Sequence, residues 1–120
     1  MEWKKAIEEH IKTGLHDLMV LKLLSKGDMY GYEIGKQISF RTNEAFKYET
    51  SALYSILYRL ESQGLISCYT EAIKKKRFRK YYHIEKSGEE YLAYGEEQSR
   101  VILNEYLHLI DSIQQPTEVK

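Results

Sequence analysis

"LISCYTEAIKKKRFRKYYHI", residues 65–84, is where the hydrophobic period of this chain changes. "LISCYT" (65–70) and "RKYYHI" (79–84) are rich in β-branched and aromatic residues with rough alternation, which predicts the two strands of a hairpin. Between them, six of the seven positions from Lys74 to Lys80 are cationic, and two tyrosines follow. A charge run by itself is often a solvated loop. This run forms the tip of the predicted hairpin and the start of its second strand, so the flanking elements decide what the charge is for.

Upstream the period is helical. Trp3, Ile7 and Ile11 recur on one face of an N-terminal helix, Gly14 interrupts it, and "LHDLMVLKLL" (15–24) resumes through Leu15, Leu18, Leu21 and Leu24. Gly27 is placed as a helix stop, "YEIGKQISF" (32–40) predicts a short helix, and 41–49 reads as polar and irregular. "TSALYSILYRLESQG" (50–64) predicts another helix. Thr50 or Ser51 can cap it, Leu53, Ile56, Leu57 and Leu60 face inward, and Gly64 ends it. Downstream, Ser87-Gly88-Glu89-Glu90 reads as a capping box that opens a last helix. The order predicts a mainly α fold with a small β-hairpin: a winged helix-turn-helix with an N-terminal helix and a long C-terminal dimerisation helix. The expected division is 1–86 for the DNA-binding domain with its N-terminal helix, 87–113 for the dimerisation helix and 114–120 for a flexible tail.

Formal net charge is zero over 120 residues, but it is unevenly distributed. Residues 1–35 carry −1, residues 36–80 carry +6 and residues 81–120 carry −5. A polyanion senses the local block, because phosphate contacts act within about a Debye length of ~10 Å. In a winged helix-turn-helix, one helix enters the major groove and the wing lies along the neighbouring backbone. The residues placed on duplex DNA are therefore Thr50, Ser51, Tyr54 and Tyr58 on the third helix of the motif, and Lys74, Lys75, Lys76, Arg77, Arg79, Lys80 and Tyr81 on the wing. Lysines and arginines there release counterions, and tyrosine hydroxyls bond phosphate oxygens.

The last helix sets the assembly. From Gly88 to about Ile113 it would be roughly 39 Å long at 1.5 Å per residue, more than a compact domain of this size can cover. Leu92, Gly95, Ser99, Ile102, Tyr106, Leu109 and Ile113 alternate spacings of three and four, a heptad seam, and Leu103, Leu107 and Ile110 widen it. A two-fold homodimer through Trp3, Ile7, Ile11, Leu92, Ile102, Tyr106, Leu109 and Ile113 buries both apolar sets and places two DNA-reading helices on a palindromic operator. Packing of the first helix on the last within one subunit is the alternative.

Other function classes have little support. His10, His16, His83 and His108 lie far apart, Cys68 has no adjacent histidine, and there is no phosphate-cradling glycine loop, so no catalytic residue, metal ligand or cofactor is assigned. No apolar stretch approaches the ~20 residues of a membrane helix, no signal peptide is read, and one cysteine fits a reducing compartment, so the expected location is cytoplasmic. A dimeric winged-helix scaffold that binds protein, with the lysines only solubilising, and an RNA-binding winged helix remain as alternatives.

"GLHDLMVLKLL" (14–24), "YGYEI" (30–34), "LYSILYRLESQGLI" (53–66) and "RKYYHI" (79–84) resemble, in order and spacing, the PadR family of bacterial transcriptional regulators. The resemblance spans roughly residues 13 to 113, and the short chain with one C-terminal helix is similar to the family's compact, multidrug-sensing branch. It implies a homodimeric repressor, released in some members by a small aromatic or phenolic effector. It also implies that Tyr54 contacts phosphate, that Arg79, Lys80 and Tyr81 open the second wing strand, and that Tyr30 to Glu33 start a helix, with Gly31 permitting close packing and Tyr32 in the core. Three departures stand out. Ala52 replaces a Ser or Thr of many relatives, the wing lacks a glycine, and Gln98 stands where the multidrug-sensing branch has a ligand-stacking tryptophan. A ligand groove would have to be rebuilt from Trp3, Tyr91 and Tyr94 beside Gln98, or be closed by close approach of the helices at Gly95 and Ser99.

Overall fold

The computed structural model describes residues 2–114. The helices are α1 (Glu2–Lys12), α2 (His16–Leu24), α3 (Gly31–Arg41), α4 (Thr50–Ser62) and α5 (Lys86–Gln114), and the strands are β1 (Met29–Tyr30), β2 (Ile66–Lys74) and β3 (Arg77–Ile84). This is the expected winged helix-turn-helix with a long last helix. Of the expected tail, Gln114 is still helical, and 115–120 lie outside the described residues.

Gly14 tightens the chain rather than breaking it. Thr13–Leu15 form one 3₁₀ turn, flanked by Lys12 and His16 in right-handed helical conformation, so α1 runs on into α2. The inward stripe of α4 is as its spacing predicts: Leu53, Ile56, Leu57 and Leu60 are buried against Val20, Leu21, Leu24, Ile34 and Ile38. Its end follows from two backbone bonds. Leu65 N–H donates to the Leu60 carbonyl and Gly64 N–H to that of Glu61, while Gly64 takes φ +74°, where glycine carries no Cβ penalty. The predicted caps are not used. Glu49 occupies the N-cap of α4 without a side-chain bond, and Thr50 is already helical.

Two further expectations change. The sheet has three strands in the order β1-β3-β2, because Met29 and Tyr30 pair with Tyr82 and Tyr81. A two-residue strand is too short to show a period, and it forms because β3 offers an unpaired edge. Ser87 does not cap α5. That helix starts before it, at Lys86, and the Ser87 hydroxyl instead donates to the Gly64 carbonyl at 2.7 Å, tying the end of α4 to the start of α5.

Only the first turns of α5 lie on the domain. Gly88 faces the Leu65 carbonyl, Leu92 is in the core, Gly95 receives the Leu18 side chain, and Glu96 pairs with Lys22 at 2.9 Å. Leu92 was expected on the dimer seam, but its own subunit buries it, because this part of α5 crosses α2. Gly95 likewise makes room for Leu18 rather than for a second copy of α5. Beyond Arg100 the helix projects, and the molecule measures 71 × 37 × 23 Å. Its radius of gyration is 18.0 Å, against about 14 Å for a compact chain of this length.

The two glycines of α5 should respond differently to alanine. At Gly88 a Cβ would run into the Leu65 backbone carbonyl, which cannot move aside, whereas at Gly95 it would meet the end of the Leu18 side chain. Gly88→Ala is expected to lower the thermal midpoint, costing about 1–3 kcal/mol as an overpacked site. Gly95→Ala is expected to be near neutral, since repacking of Leu18 is offset by the ~0.5–1 kcal/mol helix preference of alanine. Thermal unfolding at one protein concentration checks the pair, and equal midpoints would contradict this account.

Candidate nucleic-acid interface

The face of α4 opposite the core is polar and aromatic. Thr50, Ser51, Tyr54 and Tyr58 are all exposed, as the expected DNA-reading face requires. Tyr54 is held in place, because its ring lies over Gly31, where any Cβ would collide with it. The close approach expected at Gly31 is thus the packing of α4 on the start of α3. Tyr54, Thr50 and Leu53 line a groove of about 580 Å³ with Tyr32, Gly35, Lys36 and Ser39 of α3 and with Lys47 and Tyr48.

The segment between α3 and α4, expected to be irregular, is ordered by side chains. Asn43 and Glu44 take φ of 52° and 65°, and Glu44 N–H closes back on the Ser39 carbonyl. The Thr42 hydroxyl donates to the Ile38 carbonyl at 2.7 Å and accepts from Phe46 N–H at 3.2 Å. His16 meets the Tyr48 hydroxyl at 2.6 Å and packs edge-on against Phe46. Burial, reinforced by Glu9 and Asp17, pushes the Tyr48 phenol up to about 12, so it stays protonated. Arg59 on α4 bonds Asp17 on α2 through two parallel contacts of 2.6 and 2.7 Å, and that pairing raises the guanidinium's pKa. These ties orient α4 relative to α2.

The wing is longer than predicted. Strands run to Lys74 and from Arg77, which pair with each other, and only Lys75 and Lys76 form the turn. Lys74 and Arg77 are therefore strand residues, held by a ladder that an Ile73 bulge lets continue to the end. Lys76 takes φ +64°, the conformation that a glycine at a wing tip would hold more easily. Residues 69–80 are all exposed. Because strand side chains alternate, Arg77, Arg79 and Tyr81 project from one face and Phe78, Lys80 and Tyr82 from the other. Tyr82 is in the core, and Lys80 lies over its ring.

An aromatic ladder joins the wing to α3. Tyr32 stacks on Tyr30 with 6.4 Å between ring centres, Tyr30 meets Tyr81 edge-on at 5.8 Å, and Tyr81 stacks on Tyr69 at 5.7 Å. Arg79 lies 4.3 Å over the Tyr30 ring and Lys36 lies 5.7 Å over Tyr32. Tyr32, expected in the core, is 66% exposed, because the inward side of α3 is taken by Ile34 and Ile38. Sequence reading missed Lys36 and Lys47. The spacing of Tyr32, Lys36 and Phe40 along one side of α3 was a signal for the first of them.

The expected dimer residues Trp3, Ile7, Ile11, Ile102, Tyr106, Leu109 and Ile113 are exposed in the single subunit. In the expected ligand groove, Tyr91 and Tyr94 are exposed and Gln98 is half-buried. Among the described residues no cluster of three His, Cys, Asp or Glu side chains could hold a metal ion, and no helix is long and apolar enough to cross a membrane.

The chain matches the Transcriptional regulator PadR-like family over residues 20–94, from α2 through the wing into α5. An uncharacterized protein of Lysinibacillus sphaericus is 37% identical over 87 residues, 72% of this chain and 80% of that relative. A transcriptional regulator from Clostridium thermocellum has a solved structure that is similar at TM-score 0.72 and 33% identity, covering 81% of this chain and 97% of that one. Bacillus subtilis PadR, solved in complex with operator DNA, is similar at TM-score 0.59 and 27% identity over 64% of this chain and 44% of that chain.

If the wing tip neutralises phosphates, replacing Lys75, Lys76 and Arg77 together with alanine should weaken binding to all duplexes alike. The slope of log affinity against log salt should flatten by about 0.9 for each phosphate left unneutralised. Lys36→Ala should free about one phosphate. Ser51→Ala and Tyr58→Ala should reduce binding to a selected site more than binding to random duplex. Fluorescence anisotropy across a salt series measures all of these, and a triple variant with wild-type affinity and slope would make the tip a solvated loop.

Proposed function

The chain belongs to the PadR-like family of transcriptional regulators, and we propose that it is a homodimeric repressor that binds a palindromic operator in duplex DNA through α4 and the basic wing. The observation that carries this reading is that one subunit combines an exposed cationic hairpin beside α4 with two exposed apolar helix faces. Ile102, Tyr106, Leu109 and Ile113 on α5 are 55–72% exposed, and Ile7 and Ile11 on α1 are 50% and 70% exposed. Apolar stripes of this extent mark a surface that a partner covers. A second copy of the same chain covers both, and two-fold symmetry then repeats the α4–wing unit along the DNA. Residues 1–86 supply the DNA-binding part of this assembly and 87–113 the dimerising helix, whose first turns also complete the core of each subunit. The regulator works in the cytoplasm, on DNA, and no catalytic step is part of this reading.

The same reading places Trp3, Tyr91, Tyr94 and Gln98 where a small flat aromatic effector would lie between subunits. Gln98 cannot stack, and an aromatic sandwich would otherwise add about 0.5–1.5 kcal/mol per pair beyond buried area. We therefore assign no flat-drug site to this groove. The reason is the chemistry at Gln98, since Gly95 is filled by Leu18 and the Ser99 hydroxyl donates to the Glu96 carbonyl within its own helix.

Three experiments test the proposal. Ile102→Asp or Leu109→Asp puts an uncompensated charge in the interface and should give monomers or aggregates at micromolar concentration by light scattering, with loss of operator binding. A stable dimer with intact binding would remove α5 from the interface. Operator selection from genomic fragments should yield an inverted repeat. Titration with a flat cationic dye should leave the fluorescence of Trp3, the single tryptophan, unchanged. Saturable quenching that Tyr94→Ala abolishes would restore a drug-sensing groove.

A further inference from the structure

The wing projects beyond the core. From Tyr69 to Lys80 every residue is exposed, and a bare two-stranded ribbon is only marginally ordered in water. Its direction must be set at its base. On the core side, the Cys68 thiol donates to Glu61 of α4 at 2.8 Å. On the other side, the carboxylate of Asp28, in the turn before β1, accepts from both strands. The Tyr69 hydroxyl of β2 donates to Oδ2 at 2.7 Å, and His83 Nδ1 of β3 donates to Oδ1 at 2.8 Å. Tyr69 is also the outer rung of the aromatic ladder that runs through Tyr81 and Tyr30 to Tyr32 at the start of α3. We infer that Asp28 is the positioning residue of the wing: by holding one side chain from each strand it fixes the angle at which the hairpin is presented to DNA beside α4.

The inference rests on the DNA-binding reading and adds to it a carboxylate that helps a protein hold a polyanion. The electrostatics of the clasp agree with its geometry. The bonds from Tyr69 and then His83 hold the Asp28 carboxyl below its usual 3.8. The bond to Asp28 raises His83 above its usual 6.5, with Glu85 and Glu89 adding to the effect. Asp28 therefore contributes above the ordinary carboxylate range and loses its contribution as pH falls through its lowered pKa. His83 contributes fully below 6.5 and loses its ionic part as pH rises through its raised value. Between these limits the clasp is charge-assisted.

The test uses the sign of the effect on binding to a short mixed-sequence DNA duplex. Removing a carboxylate near a polyanion should, on charge alone, tighten binding. The positioning role predicts the opposite for Asp28→Ala: weaker binding and a salt slope flatter by about 0.9 for each phosphate the wing no longer reaches. Asp28→Asn removes the same charge but keeps the shape. Above pH 8, where neutral His83 can accept from the new amide while Tyr69 donates to its oxygen, it should recover most of the wild-type affinity. At pH 6 the amide can turn, so that its oxygen accepts from protonated His83 and its NH2 donates to the Tyr69 hydroxyl oxygen, and the rescue should persist. Tyr69→Phe changes no charge, loses one arm, and should weaken binding in the same direction even if Asp28→Ala folds poorly. Hydrogen exchange should show faster exchange in β2 and β3 of these variants, with α4 still protected. Asp28→Ala and Tyr69→Phe proteins that bind as tightly as wild type, with an unchanged slope, overturn the clasp. Wild-type protein that fails to bind duplex at low salt overturns the DNA reading itself, and the clasp's role falls with it.

Discussion

Along β3 the side chains divide between two tasks. Tyr82 and Ile84 close the core, and Arg79, Tyr81 and His83 project from the opposite face. The division follows from the two-residue period of a strand, so neither task can be altered by sliding the strand without losing the other. β3 is also the central strand, with β1 on one side and β2 on the other. Through β1 it reaches the start of α3, and through β2 it reaches the loop after α4. The aromatic ladder, the His83–Asp28 contact and the closing of the core by Tyr82 and Ile84 all depend on this one strand's register.

The second constraint is the amount of surface one subunit can cover. The chain builds one core, and α5 contributes only its first turns to it. The remaining turns carry Ile102, Leu103, Tyr106, Leu107 and Leu109 into solvent. In the proposed dimer these residues are covered by a partner, so folding and assembly would be linked and stability would depend on protein concentration. The Arg59–Asp17 and Lys22–Glu96 pairs belong to the subunit itself. They are partly exposed, so they orient helices that the core already holds together rather than adding much stability.

Charge is distributed according to these parts. The cations of the wing lie on a ribbon with no core, where water solvates them and no desolvation cost opposes them. The acidic surplus lies in the C-terminal third, which contains all of α5. A zero net charge thus describes neither end of the molecule. For a polyanion the relevant quantity is the number of phosphates the wing and α3–α4 reach together, and that number depends on geometry as much as on composition. Arg79 illustrates the point, since its guanidinium already lies over the Tyr30 ring and is oriented before any ligand arrives.

Elements whose causes are local can be read from the order of residues alone. The inward stripe of α4 is readable from the spacing of Leu53, Ile56, Leu57 and Leu60, and its end from Gly64. The hairpin is readable from the change of period at residue 65, and the length of α5 from its uninterrupted heptads. Periodicity and backbone preference act within a few residues, so no partner is needed to see them. Other features depend on a distant neighbour and emerge only in the folded chain. Leu92 fits a seam by spacing, yet α2 reaches it first, and Gly95 is occupied by Leu18 for the same reason. Tyr32 is exposed because Ile34 and Ile38 take the inward side of α3. Met29 and Tyr30 become a strand only because β3 presents an edge to them. Asp28 draws Tyr69 and His83 from 41 and 55 residues away. Pairings at that range leave no period in the chain, because the fold brings the partners together only after the local elements have formed.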